Sequence, residues 1–118
     1  MDRSERARAA VAAARAETIR LIEALGGRWQ AIVDASALAA DDDEHDPEGA
    51  TVAFERAQVG STLVAAQAEL AELDTAAARI ADGTYWTCTA CGGPIAQDRL
   101  EARPMARTCI ACARTADR

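Results

Sequence analysis

Apolar residues recur in sevens along two long stretches of the chain, one on each side of an acidic interruption. In the first, residues 2–39, Val11, Thr18, Leu25 and Ile32 are spaced by seven, and Ile22, Trp29 and Ser36 stand four beyond each of the last three. That spacing is the a/d seam of a helix built to pack along another helix. Alanine, arginine, glutamate and leucine, all strong helix formers, fill the remaining positions. The seam is imperfect, since Thr18 and Ser36 are polar and Arg15 takes the first d position. Its weakest point is Gly26-Gly27, where each glycine costs about 1 kcal/mol relative to alanine in a helix interior. A kink, a break or a close helix contact is expected there. The second stretch, from about Thr51 to Ala81, repeats the pattern with Val52, Val59, Ala66, Leu73 and Ile80, joined by Leu63, Leu70 and Ala77.

The connector at 41–50, DDDEHDPEGA, sets how the two seams meet. Pro47 has no amide hydrogen and biases Asp46 away from helical dihedrals, and Gly49 relaxes a turn. Each helix of about 30 residues, roughly 45 Å at 1.5 Å per residue, needs a partner for its apolar stripe. A short connector supplies that partner within the chain, as an antiparallel hairpin and hence a monomer. A coiled coil between two chains, acting as a structural adaptor, is the alternative and predicts a dimer. Asp82-Gly83-Thr84 ends the second helix, with Gly83 as its C-terminal cap. The expected fold is mainly α: a coiled-coil hairpin over 1–82 with its acidic tip at 41–50, then a small cysteine module over 83–118.

Composition and charge narrow the function classes. Half of the 118 residues are hydrophobic, but most of these are alanine, with one Phe, one Tyr and two Trp, which argues against a thick globular core. The net charge of -6 is concentrated: residues 41–50 alone carry six carboxylates and no arginine. Residues 83–118, with five arginines against three carboxylates, are the one mildly basic segment beyond a nearly neutral first helix. Direct nucleic-acid binding by the cysteine module would need a convergent basic surface, so no sequence-specific binding is expected. No run reaches the roughly 20 apolar residues of a membrane span, and the start lacks the apolar core of a signal peptide. A cytoplasmic location is expected.

Six like charges within ten residues repel one another, a cost that asks for a cation, a basic surface or a metal held elsewhere. Asp42, Asp43, Glu44, Asp46 and Glu48 are therefore candidate partner contacts. His45, the single histidine, could tune the cluster through its protonation or simply be solvated. Arg99, Arg103 and Arg107 on the cysteine module are candidates for docking on an acidic surface, or for solvating the module.

The strongest chemical signal is CTAC at 88–91 and CIAC at 109–112, two C-x2-C pairs seventeen residues apart. Each pair forms a tight turn presenting two thiolates, and together Cys88, Cys91, Cys109 and Cys112 suit one tetrahedral zinc ion at about 2.3 Å. So short a module cannot stabilise itself by burial, which makes metal binding its folding energy. Two disulfides, an iron–sulfur centre or a thiol redox couple are the alternatives. Four thiolate ligands leave no open position on the metal, and the carboxylates lie in an exposed turn, so an enzyme is not expected. Trp86 and Met105 are expected to pack, Trp86 between the module and the hairpin base.

The run GTYWTCTACGGPI followed by RLEARPMARTCIAC, preceded by a long helical hairpin with an acidic tip, resembles the DksA/TraR family of zinc-finger proteins, bacterial regulators that bind RNA polymerase. The resemblance covers about residues 46–113. It implies one structural zinc, insertion of the hairpin into the secondary channel of RNA polymerase with the tip reaching toward the active centre, and a finger resting near the channel rim. The family commonly places two aspartates, separated by two residues, and then an alanine at the tip. Here Asp46 matches the first aspartate, Gly49 stands in place of the second, and Thr51 in place of the alanine.

Overall fold

In a computed structural model of the chain, residues 1–39 and 47–116 are described. They form four helices: α1 (Arg3–Ala39), α2 (Pro47–Asp82), α3 (Gln97–Ala102) and α4 (Ile110–Ala116). Among the described residues the one β pairing outside these helices is an isolated antiparallel bridge between Thr87 and Pro94. None of the described helices is long and apolar enough to cross a membrane. The chain divides into two compact units, residues 17–69 and residues 1–16 with 70–118. The ends of both long helices thus go with the C-terminal segment.

One sequence-derived boundary moves, and no break interrupts the first helix. α1 opens with a reciprocal cap, in which Asp2 Oδ1 accepts from the Glu5 amide at 2.8 Å and Glu5 Oε2 accepts from the Asp2 amide at 3.0 Å. Two of the orphan donors of the first turn are satisfied this way. It then runs through Gly26-Gly27 without a break. No neighbour lies within 4 Å of where a Cβ would stand on either glycine, so the close contact expected there is absent as well. The intact turns on both sides carry the helix across, because propagation is far cheaper than nucleation. α2 begins at Pro47, four residues ahead of the expected Thr51. Proline suits a first helical turn, where its missing N–H would have no partner anyway, so Gly49 lies inside the helix instead of relaxing a turn. The acidic residues 41–46, and with them the predicted turn at Asp46, lie outside the described residues.

In the unit formed by residues 17–69, α1 and α2 pack as an antiparallel hairpin. The Arg28 guanidinium meets the Glu55 carboxylate at 2.7 Å, and the Trp29 ring lies on the bare backbone of Gly60, where an added Cβ would fall 2.8 Å from Trp29 Cζ3. A close approach, one of the three outcomes expected at Gly26-Gly27, is found at Gly60 instead. Thr18, Val59 and Ala66 are buried, while Ile22, Leu25, Trp29, Ile32, Ser36, Val52 and Leu63 are half-buried. The heptad positions are those read from the sequence. They bury incompletely because two helices alone cover each other on one side only.

The other unit has a third layer. Val11 of α1 and Leu73, Ala76 and Ile80 of α2 pack with Tyr85, Cys88, Ile95 and Leu100 of the C-terminal segment, all buried. The seam changes side here. Ala14, not Arg15, packs on this core, and Ala76 is buried where Ala77 is exposed. In both helices the position three residues after an a residue replaces the one four after it, because the inward arc now includes residues of the C-terminal segment. Arg15 points outward and pairs with Asp74 at 2.6 Å, with about half of each side chain exposed. α2 ends as expected. Gly83 adopts φ 85°, and the amides of Thr84 and Tyr85 return to the Arg79 carbonyl. Asp82 accepts from the Thr84 hydroxyl and amide, which holds its carboxyl below the ordinary value.

Candidate metal centre

The two cysteine pairs are held by different local structures. The first sits in a turn closed by backbone bonds from the Cys88 amide to the Gly93 carbonyl (2.7 Å), from the Gly92 amide to the Cys88 carbonyl (3.0 Å) and from the Ile95 amide to the Trp86 carbonyl (2.7 Å). The turn requires φ 74° at Gly92, a left-handed conformation that residues with a Cβ rarely adopt. The Gly93 amide also donates to Cys91 Sγ at 3.4 Å. The second pair straddles the start of α4, with the Ala113 amide donating to the Cys109 carbonyl at 3.0 Å. Thr89 ties the first turn to the segment leading into the second pair: its amide and hydroxyl both donate to the Arg107 carbonyl, at 2.9 and 3.2 Å.

These turns bring one sulfur each from Cys88, Cys91, Cys109 and Cys112 within 4.8 Å of one another. Cys91 Sγ and Cys109 Sγ stand 3.9 Å apart. A tetrahedron with about 2.3 Å zinc–sulfur bonds has edges of about 3.8 Å, so the sulfurs are spaced for one ion. None of the four is in a disulfide, and Cys88 is buried while Cys91 is exposed. Their electrostatics ask for a cation. The amides of Cys109 and Cys91 lower the Cys88 thiol to about 6. Hydrogen bonding to the sulfurs of Cys109, Cys88 and Cys91 raises Cys112 to about 12. The crowding thus disfavours a thiolate at Cys112, and a divalent ion would offset that cost.

Around the centre, backbone carbonyls are satisfied by side chains. Arg79 is buried in the last turn of α2 and donates through Nη2 to the carbonyls of Thr84 and Thr87, each at 2.7 Å. The Tyr85 hydroxyl donates to the Pro104 carbonyl at 2.7 Å. Trp86 meets Tyr85 edge to face at 5.2 Å and carries the Arg3 guanidinium 4.3 Å from its ring centroid. Trp86 and Met105 both pack against the buried cluster, as expected. Arg79 was not singled out from the sequence. The available signal was a basic residue in the last turn of a helix, where carbonyls lack partners.

The spacing and the chemistry of the sulfurs point to a C4 zinc finger, and comparison with known proteins gives its type. Residues 83–118 match the prokaryotic dksA/traR C4-type zinc finger family. The C-terminal segment is a DksA/TraR-type zinc finger. It holds one structural zinc ion. The fold is similar to that of transcription factor DksA2 from Pseudomonas aeruginosa, with a TM-score of 0.82 and 23% identity over 98% of this chain and 83% of that one. No curated protein sequence matches the chain.

Of the remaining candidate residues, the three arginines of the finger lie among the described residues. Arg99 of the finger donates through Nε to the Thr108 carbonyl at 2.9 Å and is partly buried. Arg103 and Arg107 are exposed. The Arg103 amide donates to the Arg99 carbonyl at 2.7 Å. Asp42, Asp43, Glu44, His45 and Asp46 lie outside the described residues. Glu48 is in the first turn of α2, and its side chain is also outside them.

Proposed function

We propose that this protein regulates transcription by binding RNA polymerase. In this reading the hairpin enters the secondary channel and brings Asp42, Asp43, Glu44, His45, Asp46 and Glu48 near the active centre, while the zinc finger stays at the rim. The observation that supports it best is a combination: a DksA/TraR-type finger carried on a fold matching transcription factor DksA2 over nearly the whole chain. Six carboxylates in residues 41–50 suit a destination that holds Mg2+ and phosphate-binding cations. Arg103 and Arg107 are exposed on the finger, and in this reading they meet acidic groups on the rim. The protein acts by occupying and perturbing the channel rather than by chemistry of its own, as a monomer in the cytoplasm.

The test is retention by purified core RNA polymerase, followed by transcription from a defined promoter. The intact chain should be retained and should change transcript yield. A variant carrying D42N, D43N, E44Q, D46N and E48Q keeps the connector length and should lose the transcriptional effect, as should a chain lacking residues 41–50. No retention of the intact chain, or equal transcriptional activity from the neutralised variant, overturns the proposal.

A further inference from the structure

Gly26-Gly27 lacks a packing explanation. Neither glycine has a positive φ, and neither has a neighbour that a Cβ would meet. Two residues of the lowest helix propensity short of proline therefore sit in the middle of a 37-residue helix where alanine would fit. Across the hairpin, the Arg28–Glu55 ion pair and the Trp29–Gly60 contact place residues 26–29 of α1 beside residues 55–60 of α2. At that level α2 carries its own weak point, Gly60-Ser61, a pair of the kind at which helices bend. The Thr62 hydroxyl, one residue on, donates back to the Gln58 carbonyl at 3.0 Å, a bond that competes with the helical ladder. Trp29 meets α2 at bare glycine backbone, so at Gly60 no side chain of α2 interlocks with the ring.

We infer that the level of Gly26-Gly27 and Gly60-Ser61 is a bending zone passing through both helices of the hairpin. The two helices soften together. The end of the hairpin toward Ala39 and Pro47 can then change direction while the seam on either side stays paired. Softness in one helix alone would be resisted by its straight partner, which is why the coincidence in level matters more than either glycine by itself. If the proposed channel binding holds, this zone lets the acidic tip adjust to its target; the bending itself does not depend on that reading.

The experiment is residue-resolved amide hydrogen exchange on the isolated, zinc-loaded chain and on its G26A/G27A variant. In the natural chain, amides of residues 24–30 and 58–64 should exchange at least about tenfold faster than the flanking helical amides at 19–22 and 66–70. In G26A/G27A, exchange should slow about tenfold or more at 24–30, by the usual glycine-to-alanine difference in a helix. It should slow at 58–64 as well, although no residue there has changed. Uniform exchange along both helices of the natural chain overturns the inference, and so does slowing confined to α1. Polymerase is absent from the measurement, so failure to bind it would leave this result standing.

Discussion

The two units of the molecule solve the same problem of burial with unequal means. In the hairpin unit only Thr18, Val59 and Ala66 are buried among the described residues, and the rest of the seam is half-covered. The finger-bearing unit assembles eight buried residues from three segments around one cysteine cluster. It adds side-chain bonds to backbone carbonyls from Arg79, Tyr85 and Arg99. A two-helix layer needs only periodicity and tolerates imperfect positions. A short segment with little regular structure needs a metal and complete polar pairing, and each of its ties is correspondingly costly to remove.

The largest break in that contrast should come from Cys88→Ser. Bound zinc should fall from one per chain to near none by metal analysis. Residues 83–116 should lose their amide protection, while circular dichroism retains much of the helical signal of α1 and α2. Next comes Arg79→Met, which leaves the Thr84 and Thr87 carbonyls without their charged donor. A loss of about 2–3 kcal/mol is expected in chemical denaturation, accompanied by easier zinc removal by a chelator. Gly60→Val is the counterpart in the hairpin. Its Cβ meets the Trp29 ring, and overpacking of this kind costs about 1–3 kcal/mol. Zinc affinity should be unchanged, so a drop in zinc retention would count against the separation of the two units. The smallest effect is expected from Arg28→Met with Glu55→Met. That exposed pair contributes under about 1 kcal/mol, and its loss should shrink further with added salt.

What could be read in advance follows the same division. Heptad spacing is a local signal, and it located the hairpin seam from Thr18 to Ser36 and from Val52 to Leu63. The cysteine spacing is equally local and pointed to the finger and its four sulfurs. The reading failed where a third element intrudes. Arg15 and Ala77 occupy d positions by count, yet Ala14 and Ala76 are the residues that face the added core. Pro47 was taken as a breaker although it serves equally well at a helix start, a choice that depends on where the neighbouring backbone goes. Gly26-Gly27 drew notice as a doublet, while the single Gly60 was passed over. Only the partner helix identifies Gly60 as the place where Trp29 sits.

The sequence alone determined the elements and the chemistry of the metal: residue spacing dictates which face of a helix is apolar, and a C-x2-C pair carries its own turn. The tertiary structure decided which glycine is an approach point, which side of each helix faces inward near the finger, and that Arg79 is buried against two carbonyls. Those outcomes depend on atoms far apart in the chain. No local pattern encodes them, because the energy of each lies in what happens to stand opposite.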